Sequence, residues 1–154
     1  MVSSWLSAID RLPEIHARLQ RVQIECYDWR KILDIYDAPQ TCFYLDPPYI
    51  HSTRRAGSYR FEMSDDDHRE LVSRLLDVQG MVLLSGYYHD IYAPLEDAGW
   101  GRVEWKQHCY ATARTRDTGF QGAGSTGERQ MRTENVWRNP QAVRALEGGA
   151  RRLL

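Results

Sequence analysis

The apolar positions change period several times along the chain, and each change marks an element. Pro13 suits the first turn of a helix, and Ile15 and Leu19 follow it at i, i+4 spacing. Val22–Cys26 alternates apolar and polar residues and reads as a short strand. Trp29–Ile35 returns to helical spacing, with Ile32, Leu33 and Tyr36 on one side. Thr41–Leu45 is a compact apolar run that stops at Asp46-Pro47-Pro48, because two prolines cannot continue a central strand. Ser64 then caps a helix. Asp65, Asp66 and Asp67 favour its positive end, and Leu71, Leu75, Leu76 and Val78 form its buried stripe until Gly80. Met81–Leu84 is fully apolar, as a buried parallel strand would be, and Ser85-Gly86 ends it. A short helix over about His89–Ala98 follows, then strands over Val103–Ala111 and Glu134–Arg138. Between these two strands Thr112–Arg132, rich in Gly, Thr, Ser and Arg, reads as a long, flexible basic loop. Strands alternating with helices predict an α/β fold whose sheet is mostly parallel and flanked by helices. In such sheets ligands sit outside the carboxyl ends of the strands.

Composition narrows the class without choosing a function. The chain has 154 residues, 42% apolar and 27% charged, with a mean hydropathy of −0.60. That is one soluble, globular domain, residues 1–154, large enough to bury a core. No apolar run reaches the roughly 18 residues of a membrane span, and the start of the chain lacks a signal-peptide pattern. Cys26, Cys42 and Cys109 are too few and scattered for a disulfide framework, so a reducing, cytoplasmic setting is expected. The net charge of −1 conceals an asymmetry: residues 1–100 carry 10 Lys+Arg against 16 Asp+Glu, and residues 101–154 carry 10 against 5. A basic rear third of this kind can meet a phosphate backbone, or can be an unevenly charged solvated face.

The chemistry concentrates at Asp46-Pro47-Pro48-Tyr49, at the carboxyl end of a predicted strand. The prolines stiffen the backbone, remove two N–H donors and leave their carbonyls as acceptors. Asp46 adds a charged acceptor and Tyr49 a flat aromatic face. A rigid, acceptor-only cluster beside a stacking ring suits a planar molecule with an exocyclic amino group, such as adenine or cytosine. The bland alternative is a strand ending in a Pro-Pro turn with a half-exposed tyrosine. Other patterns carry less. Gly122–Gly127 fits G-x-G-x-x-G but lacks a strand–turn–helix context, and neither the five histidines nor the three cysteines show zinc-ligand spacing.

Phe43-Tyr44-Leu45-Asp46-Pro47-Pro48-Tyr49 resembles the catalytic motif of the Dam-type DNA adenine N6-methyltransferases. His51-Ser52-Thr53-Arg54 is similar to the segment that follows this motif in a phage and bacterial branch of that family. Glu25-Cys26-Tyr27-Asp28-Trp29 resembles the family's acidic–aromatic pair at the cofactor's adenine. Leu84-Ser85-Gly86-Tyr87 resembles its next strand-end motif, and Glu134-Asn135-Val136-Trp137 its late strand near the target-base pocket.

The resemblance implies a Rossmann-like fold that uses S-adenosyl-L-methionine, double-stranded DNA as substrate, and a place in DNA methylation of the restriction-modification kind. Asp46 and the Pro47 carbonyl would accept from the N6 amino group of a flipped adenine, with Pro48 stiffening the turn and Tyr49 stacking on the base. Asp28 and Trp29, together with Asp46, would contact the cofactor; Asp28 can also serve as a helix N-cap before Trp29. His51, Ser52, Thr53, Arg54 and Arg55, with Arg114, Arg116, Arg129 and Arg132 of the basic loop, would meet the nucleic acid. No metal is implied.

The family's glycine-rich F-x-G-x-G turn has no counterpart here, since no glycine precedes Gly57. The expectation is therefore an incomplete methyltransferase fold that needs an N-terminal complement or second chain, with an unpaired sheet edge where it would join. Two other readings remain: a cytosine-N4 DNA methyltransferase, and a catalytically dead remnant that binds DNA or a partner.

Overall fold

A computed structural model describes residues 12–53, 61–108 and 131–150. The chain divides into two compact units, Met1–Ile35 and Tyr36–Leu154. In the first, α1 spans Leu12–Leu19 and α2 spans Trp29–Tyr36, the last residue falling in the second unit. The apolar face expected of α1 forms, but Leu12, Ile15 and Leu19 all remain exposed. The strand expected over Val22–Cys26 does not form. Those residues lack regular structure, and Val22 and Ile24 face solvent. Alternation of three residues makes a strand only where a neighbouring ladder can pair with it, and the described residues of this unit contain no strand.

The second unit is built on four strands: β1 (Cys42–Leu45), β2 (Met81–Gly86), β3 (Gly101–His108) and β4 (Met131–Arg138). Their order in the sheet is β1-β2-β4-β3. Helix α3 (Asp65–Leu76) lies between β1 and β2, α4 (Ala93–Asp97) between β2 and β3, and α5 (Pro140–Ala150) follows β4. The sheet is mixed, not mostly parallel. β1 pairs parallel with β2, whereas β4 runs antiparallel to both β2 and β3. A parallel neighbour for β3 would need a crossover helix, and residues 109–130 carry no helical apolar period. β4 therefore returns beside β3 and separates it from β2.

Ser64 caps α3 as the sequence indicated. Its Oγ accepts from the Asp67 N–H at 3.1 Å, and the Asp67 carboxylate accepts from the Ser64 N–H at 3.0 Å, a reciprocal capping box. The buried stripe is His68, Leu71, Val72 and Leu75. Val78, beyond the helix, is buried too, while Leu76, expected in the stripe, points outward at 42% exposure. Val82, Leu84, Leu95 and Trp137 are fully buried and form the centre of the core. Of the basic loop read over Thr112–Arg132, Met131 and Arg132 open β4; the rest lies outside the described residues.

The α5 helix was not anticipated, although Asn139-Pro140 is a helix-start signal. Asn139 is buried, and every polar atom of its side chain is used. Oδ1 accepts from the Val82 N–H at 3.0 Å and the Ala142 N–H at 2.9 Å, and Nδ2 donates to the Gly80 carbonyl at 2.8 Å. One amide thus caps α5 and extends the β2 ladder. Asn139→Ala strands two backbone donors and an acceptor in the interior. The expected loss is about 2–4 kcal/mol of unfolding free energy by urea titration, since each buried group left unpaired costs roughly 1–3 kcal/mol.

Candidate active site

The site follows from the register of β1 on β2. Leu45 pairs with Leu84, so the next residues, Asp46 and Ser85, meet at the carboxyl ends of the two parallel strands. The Ser85 hydroxyl lies 2.8 Å from Asp46 Oδ1 and 3.1 Å from the Leu45 carbonyl. Among the described residues, Asp46 Oδ2 and the Pro47 carbonyl accept no hydrogen bond. Asp46 is exposed and Pro47 is half-buried. The end of β1 therefore presents two acceptors that no described residue satisfies.

Tyr49 follows, anchored by Ile50, which is 2% exposed. Its ring stands edge-to-face with Tyr87, with centroids 4.7 Å apart and an interplanar angle of 75°, a preferred aromatic geometry. Burial foremost, then the negative charges of Asp46 and Glu134, push the Tyr49 phenol well above its ordinary range, while a hydrogen bond with Ser85 pulls the other way. The side chain is thus a neutral phenol, fixed beside the unpaired acceptors.

Residues His51–Thr53 form a short 3-10 turn. The Thr53 N–H and hydroxyl both donate to the Ile50 carbonyl, at 3.0 and 2.7 Å. His51 and Ser52 are exposed on this turn, and His51 Nε2 lies 3.7 Å from the Glu62 carboxylate. Arg132 reaches the same turn from β4. Its guanidinium donates to the Thr53 carbonyl at 3.1 Å and lies 5.2 Å from the Tyr87 ring centroid. Arg54, Arg55, Arg114, Arg116 and Arg129 lie outside the described residues.

Asp28 and Trp29 belong to the first unit. Asp28 Oδ1 accepts from the Arg30 N–H at 2.9 Å at the start of α2, the N-cap arrangement. Its Oδ2 has a 3.4 Å contact with the Arg30 guanidinium, which also lies 4.4 Å from the Trp29 ring centroid. An exposed carboxylate beside an indole is the acceptor and flat surface that the adenine end of S-adenosylmethionine would need, and Arg30 contacts both carboxylate oxygens and lies over the indole here. Among the described residues, no group of three or more His, Cys, Asp or Glu side chains could hold a metal ion.

Two contributors were not legible as site residues. Ser85 reads in the sequence only as part of a strand-end motif, yet it fixes Asp46; its place near the carboxyl end of a buried parallel strand is the available signal. Tyr87 ends the same Leu84-Ser85-Gly86-Tyr87 motif, which gives it no role of its own. Asn135, opposite Gly86, is buried, and its Nδ2 donates to the Gly86 carbonyl at 3.5 Å.

Residues 3–106 match the sequence model of the D12 class N6 adenine-specific DNA methyltransferases. The match covers more than half of the 154 residues, and the chain belongs to this family. It runs from before α1 into β3 and includes Asp46-Pro47-Pro48-Tyr49. No curated protein and no solved structure matches the chain. Among the described residues no helix is long and apolar enough to cross a membrane.

The buried phenols give a pH test. Tyr49 and Tyr92 both titrate above the ordinary tyrosine value in the folded protein. Above about pH 10 the unfolded chain loses these protons first, so the native state binds more of them and stability falls as pH rises. Ultraviolet difference titration should show Tyr49 and Tyr92 among the late-ionising tyrosines, and Tyr49→Phe should remove one late step.

Proposed function

We propose that the chain is the part of an adenine-N6 DNA methyltransferase that receives the target base. The carrying observation is the pair of unsatisfied acceptors, Asp46 Oδ2 and the Pro47 carbonyl, beside the neutral Tyr49 ring. An exocyclic amino group has two N–H donors, and two fixed acceptors match it. Hydrogen bonds from both N–H groups leave the nitrogen lone pair out of the ring plane, ready to attack a methyl carbon. In duplex DNA that amino group is paired inside the helix, so the base must leave the stack before it reaches the turn. Tyr49 then offers an aromatic face to the extruded base, and stacking of this kind is worth about 1–3 kcal/mol.

S-adenosylmethionine supplies the methyl group, with Asp28 and Trp29 toward its adenine. Its methionine end calls for a glycine-rich turn, and the residues before Asp46 contain no glycine; methylation on this reading draws that turn from a further segment or chain. The protein's own contribution is positioning and fixed electrostatics, not covalent chemistry. The Ser85 hydroxyl holds one Asp46 oxygen so that the other points out. His51, Ser52, Thr53 and the arginines Arg54, Arg55, Arg114, Arg116 and Arg129 would hold phosphates or sugars flanking the extruded base. Arg132, already bonded to Thr53, steadies the His51–Thr53 turn.

The test is transfer of labelled methyl from S-adenosylmethionine to double-stranded DNA, with a glycine-rich N-terminal complement supplied, followed by nucleoside analysis. The product expected is N6-methyladenine, and Asp46→Ala should lower the rate by about 100-fold or more, the scale of losing a fixed electrostatic group. N4-methylcytosine would replace this reading with the cytosine one, to which the same two acceptors are suited. DNA binding without methyl transfer would leave a binding module.

A further inference from the structure

His68, on α3, is 0% exposed. Its Nδ1 lies 3.0 Å from the Tyr92 hydroxyl, and its Nε2 is buried without a hydrogen-bond partner among the described residues. The polar group facing the ring from the neighbouring loop is the Pro48 backbone carbonyl. Burial lowers the ring's proton affinity, and His89 adds to this; the Pro48 carbonyl, Asp65 and Asp67 oppose it. At neutral pH the ring is therefore uncharged and carries a single N–H. The Tyr92 phenol is kept protonated by its own burial and can donate to Nδ1, which leaves the hydrogen on Nε2. The Pro48 carbonyl faces the ring and is an acceptor available to that hydrogen.

The loop needs such an anchor. Pro47 and Pro48 have no N–H, so the backbone between Asp46 and Tyr49 cannot hold itself with its own donors. His68 offers a donor from a rigid base. Its helix is capped by Ser64. Tyr92 packs on Trp137 at 4.7 Å between centroids, and the Trp137 indole donates to Glu96 at 3.0 Å.

We propose that His68 is a positioning residue whose Nε2–H holds the Pro48 carbonyl inward, so that the Asp46 carboxylate and the Pro47 carbonyl face outward as the acceptor pair. The proposal rests on the reading of that pair as the amino-group site, but its test observes the loop and not methyl transfer. If Asp46→Ala failed to affect methylation, the site reading would fall while the result below stood.

The experiment is nuclear magnetic resonance of the full chain with Phe, Gln and Asn variants of His68. Gln places an amide N–H near the position of Nε2, whereas Asn places one near Nδ1. The ring nitrogens of the unaltered protein should report the Nε2–H tautomer. His68→Gln should keep the Pro48 carbonyl-carbon and Tyr49 amide resonances close to their original positions. His68→Asn and His68→Phe should shift them and broaden the Tyr49 amide at least about twofold, while Gln and Asn melt at similar temperatures. An Nδ1–H tautomer, or equal disturbance by Gln and Asn, would overturn the proposal, because His68 would then only fill space.

Discussion

A Cβ at position 80 would lie 2.8 Å from the Thr41 carbonyl and 3.0 Å from that of Ala38. Only glycine lets β2 start this close to the chain that leads into β1. The Asp37 carboxylate holds the same point, accepting from the Gln79 and Gly80 N–H groups at 3.0–3.1 Å. The Met81 N–H then donates to the Thr41 carbonyl at 2.8 Å. From there the parallel register is fixed residue by residue to Leu45 on Leu84. A slip of one residue would turn each side chain to the opposite face and would part Asp46 from Ser85. The chemistry at one end of the strands is set by a close contact at the other.

The antiparallel course of β4 adds to the same end of the sheet. Because Asn135 pairs with Gly86, residues 131–134 extend past the carboxyl end of β2. That places Arg132 against Thr53 and Glu134 near enough to Tyr49 to raise its proton affinity. A parallel strand in this position would have brought its other end here. At the opposite end Asn139 ties the exit of β4 to the entry of β2 through side-chain bonds to Val82 and Gly80. Strand direction is thus part of the site's construction.

Some of this was legible in the sequence because it is local. Two adjacent prolines end a strand wherever they fall, and Ser64 with three aspartates makes a helix start that tertiary packing has no reason to override. The strand end at Asp46 and the carboxylate it displays followed directly. What was hidden depends on partners distant in sequence. The alternation at Val22–Cys26 had no ladder to join. The direction of β4 turned on a stretch between β3 and β4 whose sequence carries no helical apolar period. His68 sits among Asp67, Arg69 and Glu70 and reads as surface, although its spacing of three and four to Leu71 and Val72 continues their stripe. Asn139 looked like an ordinary polar residue after a strand, and its three side-chain bonds appear only once β2 and α5 lie beside it.

On the proposed function, Asp46 Oδ2 and the Pro47 carbonyl together receive an exocyclic amino group. The most direct measurement is a crystal structure of the protein bound to a short DNA carrying one unpaired adenine. The account predicts the adenine N6 within about 3 Å of both acceptors, the ring against Tyr49, and the Ser85–Asp46 bond intact. An adenine bound elsewhere, or one whose amino group points away from the Pro47 carbonyl, would contradict it.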